Sequence, residues 1–262
     1  MAFDIEDYKG KAARLVWDDL DMTVFRDVPL DPGVLRCLRY MHDVEYHTVC
    51  YLRDLLLTPA HADPAITSFL GMWVFEEYWH GEGIAAVLAA HGEPHGDTRV
   101  RAVREGLGWR DRVRPLLITL GGALGAGDFV AVHMTWGAIN EWTTQAGYSL
   151  LIRQADHPTL SELLRRIMRQ EGRHIDFYST QACERLGRSQ RAQRLTRTAL
   201  RHLWRPVGAG VMPAQETRFI VRQLMGGEEG RDMARRIDRR VQRLPGLSGT
   251  AVVEGAVRAW AS

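Results

Sequence analysis

Two Glu-x-x-His tetrapeptides, each with a lone glutamate about 30 residues upstream, constrain this 262-residue chain more than any other feature. Residues three apart share one face of an α-helix, so each tetrapeptide can offer a carboxylate and an imidazole to one ligand. Four glutamates and two histidines in this order are typical of a carboxylate-bridged di-iron site inside a four-helix bundle. The candidate ligands are Glu45, Glu77, His80, Glu141, Glu171 and His174.

A single Glu-x-x-His often arises by chance, so the interpretation depends on where the ligands lie in their helices. Asp31-Pro32 and Asp63-Pro64 each combine an N-cap residue with a proline in the first turn. Two further starts are Asp128 and His157-Pro158. Each start opens an apolar-periodic run of roughly 27 to 30 residues. The glutamates Glu45, Glu77, Glu141 and Glu171 then fall near the helix midpoints, which lie at one level in an antiparallel bundle.

A structural role for these glutamates is the alternative to metal binding. A carboxylate inside an apolar helix face is costly to bury unless it is paired or bound to a metal. No cationic side chain lies in register with Glu45 or Glu141, whose neighbours one turn away are uncharged. The pattern therefore favours a metal site. Two other glutamates on the second helix, Glu76 and Glu82, are expected to support the ligands from outside or to be solvated.

Composition excludes several classes of function. A net charge of +2 gives no bias toward nucleic acid. Three cysteines, Cys37, Cys50 and Cys183, form no Cys-x-x-Cys pair, which favours a reducing cytoplasm over a disulfide framework. The N-terminus lacks the apolar core of a signal peptide, and no apolar run reaches the roughly 18 residues of a membrane span. We therefore expect a cytoplasmic protein without a membrane span.

The chain is expected to form one domain over residues 1–262, with the helical bundle at about 31–187 and a helical extension at about 188–262. Residues 6–22 are predicted to be an amphipathic lead-in helix. The crossover at 93–127 is predicted to carry helical segments near 98–106 and 110–120. The extension is predicted to be helical in three or four pieces, which Pro and Gly clusters near 206–213, 226–227 and 245–246 separate.

Four segments resemble the soluble acyl-carrier-protein desaturases. The sequence WVFEEYWHG at 73–81 resembles their EExRHG motif, and QEGRH at 170–174 resembles their DExRH motif. NEWTT at 140–144 is similar to their QERAT segment, and VQRLPGLS at 241–248 resembles their tail ahead of a final helix. The iron motifs also occur in other ferritin-like oxidases, so the last two segments favour desaturases in particular.

The resemblance implies an all-α, ferritin-like four-helix bundle with one long crossover and additional C-terminal helices. It implies a homodimer that binds two iron ions through the six ligands, although manganese satisfies the same set. With O2 as co-substrate and a ferredoxin-type electron donor, such an enzyme introduces a double bond into a fatty acyl chain on acyl carrier protein. Thr144, one turn after Glu141, would give bound oxygen a hydrogen bond or a proton; packing within its helix is the alternative.

Two residues depart from the family pattern. Trp79 replaces the arginine of the first motif, and Gln170 replaces the acid that precedes the second. In the family that acid supports a ligand histidine, and such partners tune ligand basicity and redox potential. These departures bear on the substrate and the reaction more than on metal binding.

An arginine stripe follows the bundle, at spacings of three and four that place it on one helix face. Its members are Arg188, Arg191, Arg194, Arg197 and Arg201. A carrier protein is acidic and its prosthetic arm bears a phosphate, so such a stripe suits docking of acyl carrier protein. A solvated helix face is the alternative, because runs of charge are common on surfaces.

Two other classes of function fit the ligand set. A divergent di-iron oxygenase of specialised metabolism would hydroxylate or N-oxygenate another substrate, and a short or polar cavity would indicate it. A ferritin-like or rubrerythrin-like protein would handle iron or peroxide at a small site open to solvent. A desaturase, by contrast, needs a deep apolar channel beside the metals.

Overall fold

The computed structural model describes residues 3–106 and 109–261, with the side chains of 109–127 left aside. Within those ranges the fold is all-helical and contains no strand, which confirms the predicted all-α class. The helices are α1 (Ile5–Lys11), α2 (Val24–Asp27), α3 (Pro32–Leu56), α4 (Pro64–Ala90), α5 (Gly96–Gly106), α6 (Trp109–Ala155), α7 (Pro158–Arg188), α8 (Gln190–Leu203), α9 (Ala214–Ile220), α10 (Glu228–Val241) and α11 (Val253–Ala261). A 3-10 turn covers Pro59–Ala62, and a π-helical turn at Val221–Met225 continues α9.

Three of the four long helices begin where the capping pattern predicts. The Asp31 carboxylate accepts a hydrogen bond from the Gly33 amide at 2.7 Å, and Asp63 accepts from Ala65 and Ile66 at the start of α4. The His157 ring caps α7 in the same way. Each cap satisfies backbone N–H groups that a helix leaves without partners in its first turn.

The predicted start of the third helix at Asp128 is wrong. Helix α6 begins at Trp109, so the predicted segment at 110–120 is its first part. Asp128 lies inside the helix, where its carboxylate accepts a hydrogen bond from the Ser189 hydroxyl at 2.7 Å and lies 3.5 Å from the Arg191 guanidinium. Glycines before Asp128 indicated a break, but a glycine costs a helix only about 1 kcal/mol, which does not force an end.

The four long helices pack around one core. Helix α3 contacts α4 and α6, and α7 contacts α4 and α6, so each helix has two neighbours in the set. Short connections join α3 to α4 and α6 to α7. Fully buried apolar side chains from all four helices fill the centre, among them Leu38, Leu70, Ile139 and Leu164. This packing brings the middle parts of α3, α4 and α7 together in the core. Because α6 begins at Trp109, Glu141 lies in the second half of α6 rather than at its midpoint.

The chain before α3 is only partly helical, in contrast to the predicted helix over 6–22. Helix α1 ends at Lys11, and Ala12 adopts an extended conformation. The following residues cross α4 and α7, where the Arg166 side chain donates to the Val16 carbonyl at 2.9 Å and pairs with Asp19. Contacts with the bundle replace helical hydrogen bonds over this stretch.

The C-terminal extension forms the predicted separate pieces, α8 to α11. Helix α8 lies on α6 and α7, and α10 also contacts α6. Across the described part of the chain, no helix combines the length and the apolar character that crossing a bilayer requires.

Candidate metal centre

The six predicted ligands converge at the centre of the four long helices, where each is at most 6 % exposed. They form two overlapping groups, in each of which one atom per residue lies within 4.8 Å of the others. One group is Glu45, Glu77, His80 and Glu171, and the other is Glu77, Glu141, Glu171 and His174. Glu77 and Glu171 belong to both groups. Each group therefore has one histidine, one glutamate of its own and two shared carboxylates.

Both histidines turn the same ring nitrogen toward the shared carboxylates. His174 Nδ1 lies 2.9 Å from Glu171 Oε2 and 3.2 Å from Glu77 Oε1. His80 Nδ1 lies 3.4 Å from an oxygen of each of the same two glutamates. A metal ligand must present a lone pair, so with a metal bound each ring would use Nδ1 as the ligand atom and keep its hydrogen on Nε2.

The residue just before the glutamate of each Glu-x-x-His motif accepts a hydrogen bond from the histidine of the other motif. His174 Nε2–H donates to Glu76 Oε2 at 2.9 Å, and His80 Nε2–H donates to the Gln170 amide oxygen at 2.9 Å. Glu76 thus has the supporting role expected of it. Gln170, a departure from the family pattern, still provides an acceptor for the ligand histidine, although its amide carries no charge to raise the basicity of the ring.

Sequence reasoning missed Tyr148 and the contact of Trp73 with a candidate ligand. The buried Tyr148 hydroxyl donates to Glu45 Oε1, and the Trp73 indole N–H donates to Glu141 Oε1 at 3.1 Å. Each contact orients a glutamate that belongs to only one of the two ligand groups. A signal for Tyr148 existed, because it lies two helical turns after Glu141 and therefore on the same face of α6.

The four carboxylates divide into two pairs. Burial raises the pKa of Glu45 and of Glu141 well above the ordinary value, and the charges of Glu77 and Glu171 add to this rise. Burial also acts to raise the pKa of Glu77 and Glu171. For Glu77 the neighbours Glu45, His174 and His80 outweigh burial, and for Glu171 the neighbours His174 and His80 do so, which leaves both pKa values lowered. The shared pair thus favours the ionised form more than Glu45 and Glu141 do.

The two ligand histidines have raised pKa values. Burial acts to lower the pKa of His80, but the carboxylates of Glu171 and Glu77 raise it to about 9. The pKa of His174 is raised well above its ordinary value because Glu171, Glu76 and Glu77 outweigh burial. The surrounding carboxylates thus favour the protonated form of both rings.

The residues present fit a pair of metal ions. Buried polar groups nearly always have hydrogen-bond partners, yet His80 Nδ1 and Glu171 Oε1 have none among the described residues. Both atoms point into the ligand groups, where a cation satisfies them. Two nitrogen and eight carboxylate oxygen atoms suit iron, manganese or another first-row metal. Buried Glu and His clusters that can hold metal are thus established, and two irons remain a prediction.

A cavity of about 600 Å³ opens beside the carboxylate side of the ligands. Among its walls are all four ligand glutamates and neither ligand histidine. Farther along α3 and α6 its walls are mostly apolar but include the polar side chains of His47, Thr48, Asp54, His133 and Asn140. The loop after α8 provides Arg205 and residues 206–211. This outer cavity gives a substrate with hydrogen-bonding groups access to the carboxylates.

A second cavity, of about 80 Å³, begins at Glu45 and Thr144. Its walls come from α3, α6 and the C-terminal extension, and most are apolar: Met41, Val44, Ile220, Val221, Leu224, Met225, Val253, Ala256 and Val257. Three of them belong to the π-helical turn, a geometry that often marks functional sites. We call this the inner cavity. Of the ligand carboxylates, Glu45 borders both cavities and the other three border only the outer one.

Thr144 lines both cavities. Its neighbour Thr143 donates its hydroxyl to the Ile139 carbonyl one turn back at 2.7 Å, the bond that a packing role for threonine predicts. For Thr144 no such bond forms with the described residues, and its side chain is only partly buried. Its position beside Glu45 and the cavity junction is that of a hydroxyl available to a bound molecule.

The predicted arginine stripe lies on α8 and the end of α7, and all five side chains are exposed. Arg197 donates to the Gly246 and Ser248 carbonyls, so it holds the tail loop. Arg188 lies 3.6 Å from Glu184 and Arg191 lies 3.5 Å from Asp128, in pairs with highly exposed arginines. Helix α8 also lines the outer cavity through Ala199 and Leu203, which places the stripe close to that cavity.

Comparisons with known proteins identify no relative. No family model matches the chain, and neither a curated protein nor a solved structure matches it. The chemistry of the site is therefore argued from its own residues.

Proposed function

We propose that the protein is an O2-dependent di-iron oxidase that acts on an unactivated C–H bond of an amphiphilic substrate, as an acyl-carrier-protein desaturase does. The observation that carries this proposal is the position of the two ligand groups, beside a large outer cavity whose mostly apolar walls include several polar side chains and, at Glu45, beside the small apolar inner cavity. Two irons held by the six ligands would supply the activation of O2 that oxidation of such a bond requires.

The protein's own residues orient the site for this chemistry. Trp73 and Tyr148 fix Glu141 and Glu45, and Glu76 and Gln170 fix the two histidines. The histidine side is closed by the protein, so a substrate reaches the ligands from the carboxylate side. The apolar inner cavity excludes water and favours the alkyl end of a substrate, since burial of each CH2 contributes about 0.8 kcal/mol.

Thr144 has a defined role in this proposal. Its hydroxyl borders both cavities and is available to donate a hydrogen bond or a proton where oxygen meets the substrate. The arginine stripe on α8 would receive an acidic carrier protein near the outer cavity. These assignments follow the desaturase interpretation and require an external electron donor, such as a ferredoxin.

A divergent small-molecule oxygenase is the second candidate, and the lining of the outer cavity favours it. Asp54, His133 and Asn140 are among its walls, and such polar side chains can offer hydrogen bonds to a substrate with polar groups along its length. Iron storage or peroxide handling is less well supported, because neither requires a cavity of about 600 Å³ beside the ligands.

Turnover with O2 and an electron donor, followed by mass spectrometry of the products, tests both candidates. Loss of two hydrogens from a carrier-bound acyl chain supports the desaturase. Gain of one oxygen atom in a polar small molecule, with no reaction of carrier-bound chains, supports the oxygenase. Absence of bound iron and of O2 consumption after loading with Fe2+ would contradict the di-iron oxidase itself.

A further inference from the structure

The N-terminal segment, residues 5–19, uses the backbone of one residue to contact Glu76 and Gln170. We call these two residues the outer partners of the ligand histidines, because each accepts a hydrogen bond from one of the rings. The Ala13 N–H donates to Glu76 Oε1 at 3.3 Å, and the Ala13 carbonyl accepts from Gln170 Nε2 at 2.9 Å. Glu76 holds His174 and Gln170 holds His80. A single residue therefore connects the supports of the two metal positions.

Other contacts of the segment strengthen this connection. The buried Tyr8 hydroxyl donates to Glu76 Oε2 at 2.8 Å, and its ring packs edge-on to His174. The Glu76 carboxylate also pairs with Arg173. Because four donors share this one carboxylate, its orientation depends on the N-terminal segment as well as on the bundle.

Contacts remote from the ligands fix the position of the segment. Leu15 is buried, and it fills the space that a side chain at Gly83 of α4 would need, since a Cβ there would lie 2.8 Å from Leu15 Cδ2. Arg166 of α7 binds the Val16 carbonyl and the Asp19 carboxylate. These anchors attach the segment to both helices that carry the ligand histidines.

We propose that the N-terminal segment is a functional part of the metal centre, in which the Ala13 backbone positions both ligand histidines and couples the two metal positions. Partners that orient ligand histidines change metal affinity by about 10- to 100-fold when they are lost. Because Ala13 reaches both partners, loosening the segment weakens both metal positions together.

The test is a titration of the full-length protein with Co2+, followed by its visible absorption. Arg166→Ala loosens the segment without touching a ligand or an outer partner. We expect it to lower the affinity of both binding steps by about tenfold. Arg169→Ala is the matched control, because Arg169 lies on the same helix, is exposed and pairs with Glu162 rather than with the segment. Unchanged titration of Arg166→Ala, or weakening of one step alone, would overturn the proposal.

Gln170→Glu separates coupling through Ala13 from simple support of His80. A carboxylate still accepts from His80 Nε2–H and adds basicity to the ring, so support alone predicts equal or tighter metal binding. It cannot donate to the Ala13 carbonyl, so coupling predicts weaker binding in both steps. Tighter binding would therefore count against the proposal.

Amide exchange supplies a readout that needs no activity. Coupling is reciprocal, so metal binding must stabilise the segment as much as the segment stabilises the metals. We expect Co2+ to slow hydrogen exchange of the Ala13 amide at least tenfold in the wild type and far less in Gln170→Glu. Equal exchange with and without metal in the wild type would contradict the coupling.

Discussion

At the scale of residues, the two shared glutamates have a different role from the two that belong to one group each. Glu77 and Glu171 lie within reach of both histidines, whereas Glu45 and Glu141 belong to opposite groups. Spacing within the sequence predicted all four as ligands but did not separate these roles. The shared glutamates are those of the two Glu-x-x-His motifs, which lie on the same helices as the histidines. The glutamates that belong to one group each lie on the other two helices.

Substitution of a shared glutamate is expected to weaken binding of both metals. Substitution of Glu45 or Glu141 is expected to weaken binding of only one. Glu77→Ala should leave less than one metal per chain, because both groups lose a carboxylate. Glu45→Ala should retain one metal at the Glu141 and His174 position. Metal content by elemental analysis, with circular dichroism as the control for folding, measures the difference. Two full equivalents of iron in Glu77→Ala would contradict the ligand assignment.

Removal of the Thr144 hydroxyl is expected to slow oxidation while the metals stay bound. Thr144→Val keeps the shape of the side chain, and loss of a general acid commonly lowers rates by about 10²- to 10⁴-fold. Thr135→Val is a suitable control, because Thr135 lies on the same helix and donates to the Ala131 carbonyl. Unchanged coupled turnover in Thr144→Val would assign this residue to packing.

At the scale of elements, close contact between α6 and α7 depends on Gly137. A Cβ at this position would lie 2.4 Å from the Tyr178 ring, so any side chain must push the ring or the helix away. From the sequence, close helix packing and space for a substrate explain the small residues Gly137 and Ala138 equally well. The structure combines them, since both Gly137 and Tyr178 line the outer cavity.

Gly137→Ala is expected to destabilise the fold by about 1 to 3 kcal/mol through overpacking. Gly71→Ala is the matched control, because nothing lies within 4 Å of the added Cβ on the exposed face of α4. That substitution should instead stabilise the protein by about 0.5 to 1 kcal/mol, the helical advantage of alanine over glycine. Urea unfolding curves measure the free energy of unfolding of both variants. Equal effects would show that α7 can move away from α6 at little cost.

The exposed face of α8 provides a test of carrier docking. Reversal of Arg191 and Arg194 to glutamate should raise the apparent KM for a carrier-bound substrate, most strongly at low salt, because the contribution is electrostatic and screened. Coenzyme A thioesters should be much less affected. Reversal of Arg236 and Arg239 on α10 gives the same charge change elsewhere. Equal effects of the two double variants would leave the stripe as a solvated face.

The sequence predicted which six side chains converge in the core, but not most of the residues that contact them, and the reason is physical. Helix spacing and caps act locally, so the three-residue spacing of Glu77 and His80 was enough to assign both to one helix face. The prediction of a helix start at Asp128 was wrong, because a possible N-cap residue after glycines is only a weak sign that one helix ends and another begins. The contact of Ala13 with Gln170 leaves no pattern at all, since it joins a backbone carbonyl to a side chain 157 residues away.

At the scale of the whole molecule, loading with metal is expected to exchange protons for cations. Without metal, the raised pKa values of His80 and His174 favour charged rings, and the raised pKa values of Glu45 and Glu141 favour protonated carboxyl groups. Metal binding requires neutral rings and ionised carboxylates, so about four protons should leave as two divalent ions bind. Calorimetry of Mn2+ binding in two buffers of different ionisation enthalpy counts them. Release of fewer than two protons would contradict the raised pKa values.

The same groups give the metal-free protein a defined dependence on pH. The folded pKa of His80, about 9, exceeds the value of about 6.5 in an unfolded chain. Its stabilising contribution is therefore complete below about pH 6.5 and is lost as pH rises toward 9. The melting temperature of the metal-free protein should fall across this window. Metal-loaded protein should not show this fall, because its ligand rings carry no such proton.

Mutual support between the two helical hairpins limits how such a chain can evolve. Each hairpin supplies the residue that accepts a hydrogen bond from the other's histidine. A substitution before the glutamate of one Glu-x-x-His motif therefore acts on the opposite hairpin, and the two cannot change independently. The hairpin of α3 and α4 has Trp79 where that of α6 and α7 has Arg173, and Glu76 faces this arginine while the neutral Gln170 supports the other histidine. The electrostatics of the two ligand groups can thus become unequal only through matched changes across the bundle.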